Sequence, residues 1–251
     1  MYIKKTLSYL NAYICHLELW FKCSRAMKKV IYHILTSLMK REKLIAILSD
    51  KEEKELLAFK KGGYLYDIGW INSLSTGTII DKEGKPLPWV TYPYIKFIEE
   101  RLKNGFEIFE FGSGNSTLYY ADKVAAVYSV ENNEFWYDKI KTTMPSNVKL
   151  FYCELVYGGE YCQYATQTGN KYDMIIVDGR DRVNCCKNNL PALKSTGVIV
   201  LDDSERVQYA PGINFLIEKG FKRIDFWGTA PTVNYLKCTT VFYRDNNCLG
   251  I

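Results

Sequence analysis

The chain has 251 residues, 47% of them hydrophobic and 24% charged, with a formal net charge of +5. That length accommodates one full α/β domain plus an appendage, with a sizeable core. The eight cysteines contain no CxxC pair, which excludes a recognisable zinc site or disulfide framework and points to reduced thiols in a cytoplasmic protein.

The charge is uneven. Residues 1–43 carry nine Lys and Arg against Glu18 and Glu42, a surplus of seven, so the remainder sits near −2. A nucleic-acid enzyme tends to carry its basic surface around the cleft, so no nucleic-acid partner is expected. Residues 1–50 read as two or more helices. Leu7, Leu10, Ile14, Leu17 and Phe21 recur at helical spacing, as do Val30, Ile34 and Leu38, then Leu44, Ile47 and Leu48, with lysines between them. Such a basic amphipathic segment fits three fates: an anionic membrane surface, its own catalytic domain, or the second subunit of a homodimer. Thr6–Phe21 is broken by Asn11, His16 and Glu18, so neither a signal peptide nor a spanning helix is expected. Lys51–Lys61 is charged and helical, and Gly62-Gly63 stops it. The chain thus divides into a basic helical extension, 1–61, and a second domain, 62–251. The expected location is cytoplasmic, with peripheral membrane contact as the alternative.

Gly63–Pro93 reads as a loop-rich connector, marked by Gly77, Gly84, Pro86 and Pro88, and Pro93 suits the start of a helix over Tyr94–Leu102. From Phe106 strands and helices alternate. Strands are predicted at Phe106–Phe111, Ala126–Glu131, Val148–Tyr152, Asp173–Val177, Val198–Leu201, Phe221–Phe226 and Thr239–Tyr243. Helices are predicted from about Ser116 to Lys123, at Glu134–Thr143, from Asn184 to Lys194 and at Val207–Lys219. Between them, Glu154–Lys171 shows little periodicity, and its length and glycines make Tyr157–Asn170 a candidate lid. The pattern implies α/β architecture: a doubly wound, mostly parallel seven-stranded sheet whose last strand, reached without a helix, runs antiparallel.

The stretch around which the chain is organised is Phe106–Ala121, FEIFEFGSGNSTLYYA. A buried strand, a glycine turn and a helix N-terminus build a nucleotide-sized pocket at the carboxyl end of a parallel sheet. The third glycine of a dinucleotide fingerprint would fall at Thr117, which disfavours a nicotinamide-dependent dehydrogenase. Glu110, two residues before Gly112, would repel a pyrophosphate and welcome an ammonium group. Glu131 ends the next strand, where acids bind ribose hydroxyls. Glu-x-Gly-x-Gly followed by a strand-terminal acid resembles the first two motifs of class I S-adenosylmethionine-dependent methyltransferases, over roughly residues 90–244. The resemblance implies a cofactor site made of Glu110, Gly112, Ser113, Gly114, Asn115, Ser116, Glu131, Asn132 and Asp178. In it the backbone N–H groups of Ser113, Gly114 and Asn115 face S-adenosylmethionine and Glu131 takes both ribose hydroxyls. Trp89 and Tyr92, aromatics ahead of the first strand, either line that pocket or pack in the core.

Asp178 ends the fourth strand, and Asp202 and Asp203 end the fifth, so three carboxylates meet beside the cofactor. Clustered carboxylates repel unless a cation or protons offset them. Three readings stand: a Mg²⁺ site, acid/base and substrate hydrogen bonding without metal, or structural caps. The layout resembles metal-dependent O-methyltransferases, except that Arg180 stands where the catechol pattern has lysine. The only histidines, His16 and His33, lie outside the second domain, so Asp181, Asp202 or Asp203 must take the proton unless a metal makes that unnecessary. Arg180, Arg182 and Arg206 flank the cleft as anion binders or surface pairs. Asp-Gly-Arg-Asp after strand four, in place of Asn-Pro-Pro-Tyr, favours oxygen over an amino group as acceptor. The expected function is O-methylation of a small molecule or glycan, which suits a chain with 20 tyrosines, although core packing explains those equally well. The rivals are an aminopropyl-transferase-like enzyme on the same sheet and a catalytically degenerate fold acting as an interaction module.

Overall fold

The computed structural model describes residues 63–251. The basic helices expected over 1–61, with their membrane, packing and dimer readings, lie outside the described residues. Helices α1 (Tyr64–Asp67), α2 (Trp70–Thr76) and α3 (Tyr92–Glu99) come first. Strand β1 (Glu107–Phe111), helix α4 (Asn115–Ala121), strand β2 (Ala126–Glu131), helix α5 (Glu134–Ile140) and strand β3 (Val148–Tyr152) follow. The second half holds helix α6 (Tyr164–Gln167), strand β4 (Tyr172–Val177), helix α7 (Arg182–Asn188), strand β5 (Leu193–Asp202), helix α8 (Ala210–Glu218), and strands β6 (Lys222–Gly228) and β7 (Lys237–Tyr243). No helix among the described residues is long and apolar enough to cross a membrane.

The seven strands form one sheet in the order β3-β2-β1-β4-β5-β7-β6, with β7 antiparallel to both of its neighbours. This is a Rossmann-like doubly wound sheet closed by an antiparallel hairpin. Period-two alternation sorts the strands into two cores. Phe109, Phe111, Val130, Ile175, Val177 and Leu201 face one helical layer. Ile108, Val127, Met174, Ile176, Val200 and Val241 face the other.

The chain winds outward from β1 to β3, then returns to place β4 on the other side of β1, so β1 and β4 flank the switch point where such sheets bind ligands. Their carboxyl ends approach closely. Gly112 has φ 92°, and a Cβ there would stand 3.1 Å from the Gly179 Cα, so both conformation and space demand glycine.

Three segments differ from the sequence reading. The connector Gly63–Pro93 is partly helical: α2 is bracketed by Gly69 and Gly77 in the left-handed region, and buried Ser73 donates to the Ile80 carbonyl at 2.7 Å. The helix expected over Asn184–Lys194 spans Arg182–Asn188, because Pro191 opens a 3-10 turn and β5 begins at Leu193, paired with Tyr172. Tyr157–Asn170 is not shaped as a lid, since Tyr161, Cys162 and Ala165 are fully buried against the sheet. The Tyr161 hydroxyl accepts from the Arg180 N–H at 3.4 Å beneath the β4 turn.

Gly179→Ala tests that packing. Its Cβ would overlap the Tyr161 hydroxyl and lie 2.9 Å from the Gly112 nitrogen. Urea unfolding should show a loss of about 1–3 kcal/mol, the usual cost of overpacking. Adding Tyr161→Phe should recover only part of it, because the backbone clash remains.

Candidate functional site

The glycine turn is held from below. Glu110 and Ser129 are register partners on β1 and β2, both without solvent exposure. Glu110 Oε2 accepts from the Thr117 hydroxyl at 2.5 Å and the Ser129 hydroxyl at 3.2 Å. Thr117 Oγ1 also accepts the Gly114 N–H at 3.0 Å, so the residue in place of a third glycine links the turn to the strand acid. Ser113 Oγ stands 2.6 Å from Ser129 Oγ, which extends the hydroxyl chain to the half-buried turn. Burial pushes the Glu110 carboxyl up to about 7, while the hydroxyls of Ser116, Thr117 and Ser129 pull it down. Its Oε1 has no partner among the described residues. The sequence reading set Glu110 toward the amino-acid end of the cofactor through a water or the backbone network; the structure buries it under the turn, where its hydroxyl partners link it to the loop.

Glu131 ends β2 and is nearly buried. Its Oε1 accepts the Asn132 and Asn133 N–H groups at 2.9 and 2.8 Å, and Oε2 accepts the Ser113 N–H at 3.1 Å. Three of roughly four acceptor positions are thus filled, leaving room for one hydroxyl unless the Ser113 N–H turns away. The N–H groups of Ser113 and Gly114 are therefore spent inside the loop rather than on a ligand. Asn115 donates through Nδ2 to the Ile79 carbonyl at 2.7 Å. Ser116 and Asn132 are half-buried at the rim. Asn133 caps α5 by accepting the Trp136 N–H at 2.9 Å, and the Trp136 indole donates to the Ser113 carbonyl at 2.8 Å. This aromatic edge beside Gly114 was not singled out in the sequence. Of the two aromatics ahead of β1, Tyr92 is buried in the core, while Trp89 is half-exposed and donates to the Pro231 carbonyl at 2.8 Å.

Asp178, Asp202 and Asp203 do meet, at the carboxyl ends of β4 and β5, and two cations already stand among them. Arg182 lies 3.0 Å from Asp178 Oδ1 and 3.3 Å from Asp203 Oδ2, and donates to the Asp202 carbonyl. Lys237, the first residue of β7, lies 2.8 Å from Asp202 Oδ2 and 2.9 Å from Asp203 Oδ1. Thr239 donates to Asp202 Oδ1 at 2.7 Å, and Arg206 reaches Asp203 Oδ2 at 2.9 Å. Burial pushes Asp203 up, but Lys237 and Arg182 outweigh it and hold the carboxyl below its ordinary range. Burial and the Asp202 charge push Asp178 well up, against Arg182 and Lys237. Asp178 Oδ2 accepts no hydrogen bond from the described residues, and its side chain is 19% exposed. Asp181 is committed elsewhere, accepting the Gly158 N–H at 2.7 Å and the Asn184 amide at 2.8 Å. Asp203 and Asp181 both have positive φ, 55° and 50°, as residues at functional turns often do.

The Mg²⁺ site read from these aspartates does not fit. The points where their oxygens converge hold guanidinium and ammonium nitrogens, and among the described residues no group of three acidic, histidine or cysteine side chains is disposed to hold a metal. Lys237 escaped the sequence reading because the last strand was begun at Thr239. An antiparallel partner of β5 must start beside the end of β5, and a lysine two residues before a strand threonine was the available signal.

No family model and no curated relative matches the chain. Among solved structures, it is similar to the O-methyltransferase TomG from Streptomyces achromogenes, in complex with SAM, at 13% identity, covering 59% of this chain and 77% of that one, TM-score 0.46. It is similar to a precorrin 8W decarboxylase from Methanobacterium thermoautotrophicum at 16% identity, covering 67% and 97%, TM-score 0.45. It is also similar to the tRNA (m1A58) methyltransferase TrmI from Aquifex aeolicus at 14% identity, covering 62% and 70%, TM-score 0.44.

Glu110 gives a signed pH prediction. Its folded value of about 7 lies above the ordinary 4.5, so the native state binds the extra proton between the two. Its contribution to stability is full below 4.5 and lost as pH rises through 7. Denaturation midpoints from pH 4.5 to 8 should show the wild type losing roughly 3 kcal/mol relative to Glu110→Gln.

Proposed function

We propose that this chain, which has the class I methyltransferase fold, is an S-adenosylmethionine-dependent methyltransferase acting on an oxygen of a small molecule or glycan. The observation that carries the reading is Glu131: a strand-terminal carboxylate, clamped by three backbone N–H groups beside the glycine turn, with acceptor capacity left for a ribose hydroxyl. Ser113, Gly114, Asn115, Ser116 and Asn132 surround it, with the Trp136 edge completing the rim. Bound S-adenosylmethionine supplies an already activated methyl group. What the protein must add is alignment of the acceptor and removal of one proton.

Asp178 is our candidate for taking that proton. It ends the strand next to β1 across the switch point, keeps one oxygen free among the described residues, and is oriented through the other by Arg182. Burial and the neighbouring Asp202 charge raise its basicity above that of an ordinary carboxylate. Asp202 and Asp203, the other two catalytic candidates, are fully committed to Lys237, Thr239, Arg182 and Arg206, and serve as the frame that holds those cations. The near-neutral charge outside residues 1–43 supports a small acceptor over nucleic acid. Glu110 beneath the turn can favour a donor with its amino acid intact only through the loop, so the aminopropyl-transferase alternative is tested with the decarboxylated donor.

Calorimetric titration of S-adenosylhomocysteine should give one site per chain. Glu131→Gln should weaken it about 10- to 100-fold, as expected for losing hydrogen bonds to a charged acceptor. Absence of binding to wild type, or stronger binding of decarboxylated S-adenosylmethionine, would overturn the reading. Asp178→Asn should lower kcat by about 10²- to 10⁴-fold while the cofactor Kd stays within a few-fold.

A further inference from the structure

We propose that the Lys237 ammonium is a tethered cation standing in the place of a divalent ion at the carboxyl ends of β4 and β5 and the amino end of β7. The proposal concerns the aspartate cluster itself and holds whether or not the methyl-transfer reading does.

Three observations support it. First, Lys237 Nζ sits between two carboxylates on consecutive residues, 2.8 Å from Asp202 Oδ2 and 2.9 Å from Asp203 Oδ1, bridging them as one ion would. Second, the lysine is buried, 5% exposed, and so are both aspartates, so the ammonium belongs to the interior rather than to a surface pair. Burial pulls its pKa down, but Asp202 and Asp203 together raise it above the ordinary lysine value, and it stays charged. Third, the remaining oxygens of the pair are satisfied without a further cation: Asp202 Oδ1 by Thr239, Asp203 Oδ2 by Arg206 and Arg182. With Lys237, Arg182 and Arg206 present, three cations already face the aspartates. An added divalent ion would carry two uncompensated charges into a buried site, which is strongly unfavourable.

The consequence is a latent site. Removing the lysine side chain vacates its position between Asp202 Oδ2 and Asp203 Oδ1 and takes one positive charge from the cluster. Two carboxylates with water filling the remaining positions suit Mg²⁺ or Mn²⁺. The native cluster therefore works without metal, and the charge a metal would supply is delivered by β7.

The test is Mn²⁺ binding to the full chain, read as loss of the free-ion electron paramagnetic resonance signal. Wild type should show no saturable site, and its melting temperature should not change with chelator or Mn²⁺. Lys237→Ala should bind one Mn²⁺ at least about tenfold more tightly than wild type. Lys237→Arg, which keeps the cation, should not bind, and Lys237→Ala combined with Asp203→Asn should lose the site. If Lys237→Ala folds only with Mn²⁺ present, the proposal is supported by that rescue. If it never folds, the wild-type arm decides. A single Mn²⁺ site in wild type that disappears in Asp203→Asn overturns the proposal, and so does a folded Lys237→Ala that binds no Mn²⁺.

Discussion

Three carboxylates converge where β4 and β5 end, and their charge has to be met from within the protein. Desolvating an ion costs several kcal/mol even after relaxation, and unlike neighbours must repay it. Arg182, buried on the first turn of α7, and Lys237, at the start of β7, do so from opposite sides. Each is tied to more than one acid, so the cluster links the β4 turn, the end of β5 and the antiparallel hairpin into one unit. The left-handed backbone at Asp203 is tolerable because its side chain is fixed on both oxygens by cations.

The other half of the site obeys a different constraint, close approach of backbone. β1 and β4 are neighbours that lead in opposite directions through the fold, and their turns meet at Gly112 and Gly179 with space for no side chain. The glycine turn above them is then shaped by hydroxyls rather than by charge. Thr117 and Ser129 connect buried Glu110 to Gly114 and Ser113, while Glu131 takes the Ser113 N–H from the end of β2. Two acids thus define the loop, one from beneath and one from the rim. The rim acid is the more exposed of the two.

The sheet was legible because its signal is local. Apolar runs, with acids at or beside their ends, announce β1, β2, β4 and β5 within a residue or two, apart from the early start of β5 at Leu193. Helix α2 was not, since Trp-Ile-Asn-Ser-Leu-Ser-Thr lacks a broad apolar face and buries only Ser73. The segment before β4 looked like a lid because of its length and its glycines. Yet Tyr161, Cys162 and Ala165 fall on one side of short helical turns and fill the core under the β4 turn.

The sequence by itself determined the succession of strands and helices and the residues that end each strand, because periodicity and turn chemistry act over a few neighbouring positions. It also determined that Asp178, Asp202 and Asp203 would share one end of the sheet. Only the tertiary structure decided what neutralises them. Lys237 and Asp202 are 35 residues apart, and their contact depends on β7 lying antiparallel against β5 in one register. The same applies to Glu110, whose strand position was plain but whose complete burial depended on Thr117 and Ser129 closing over it. Charge pairing and burial are set by which elements become neighbours, and that is not a local property of the chain.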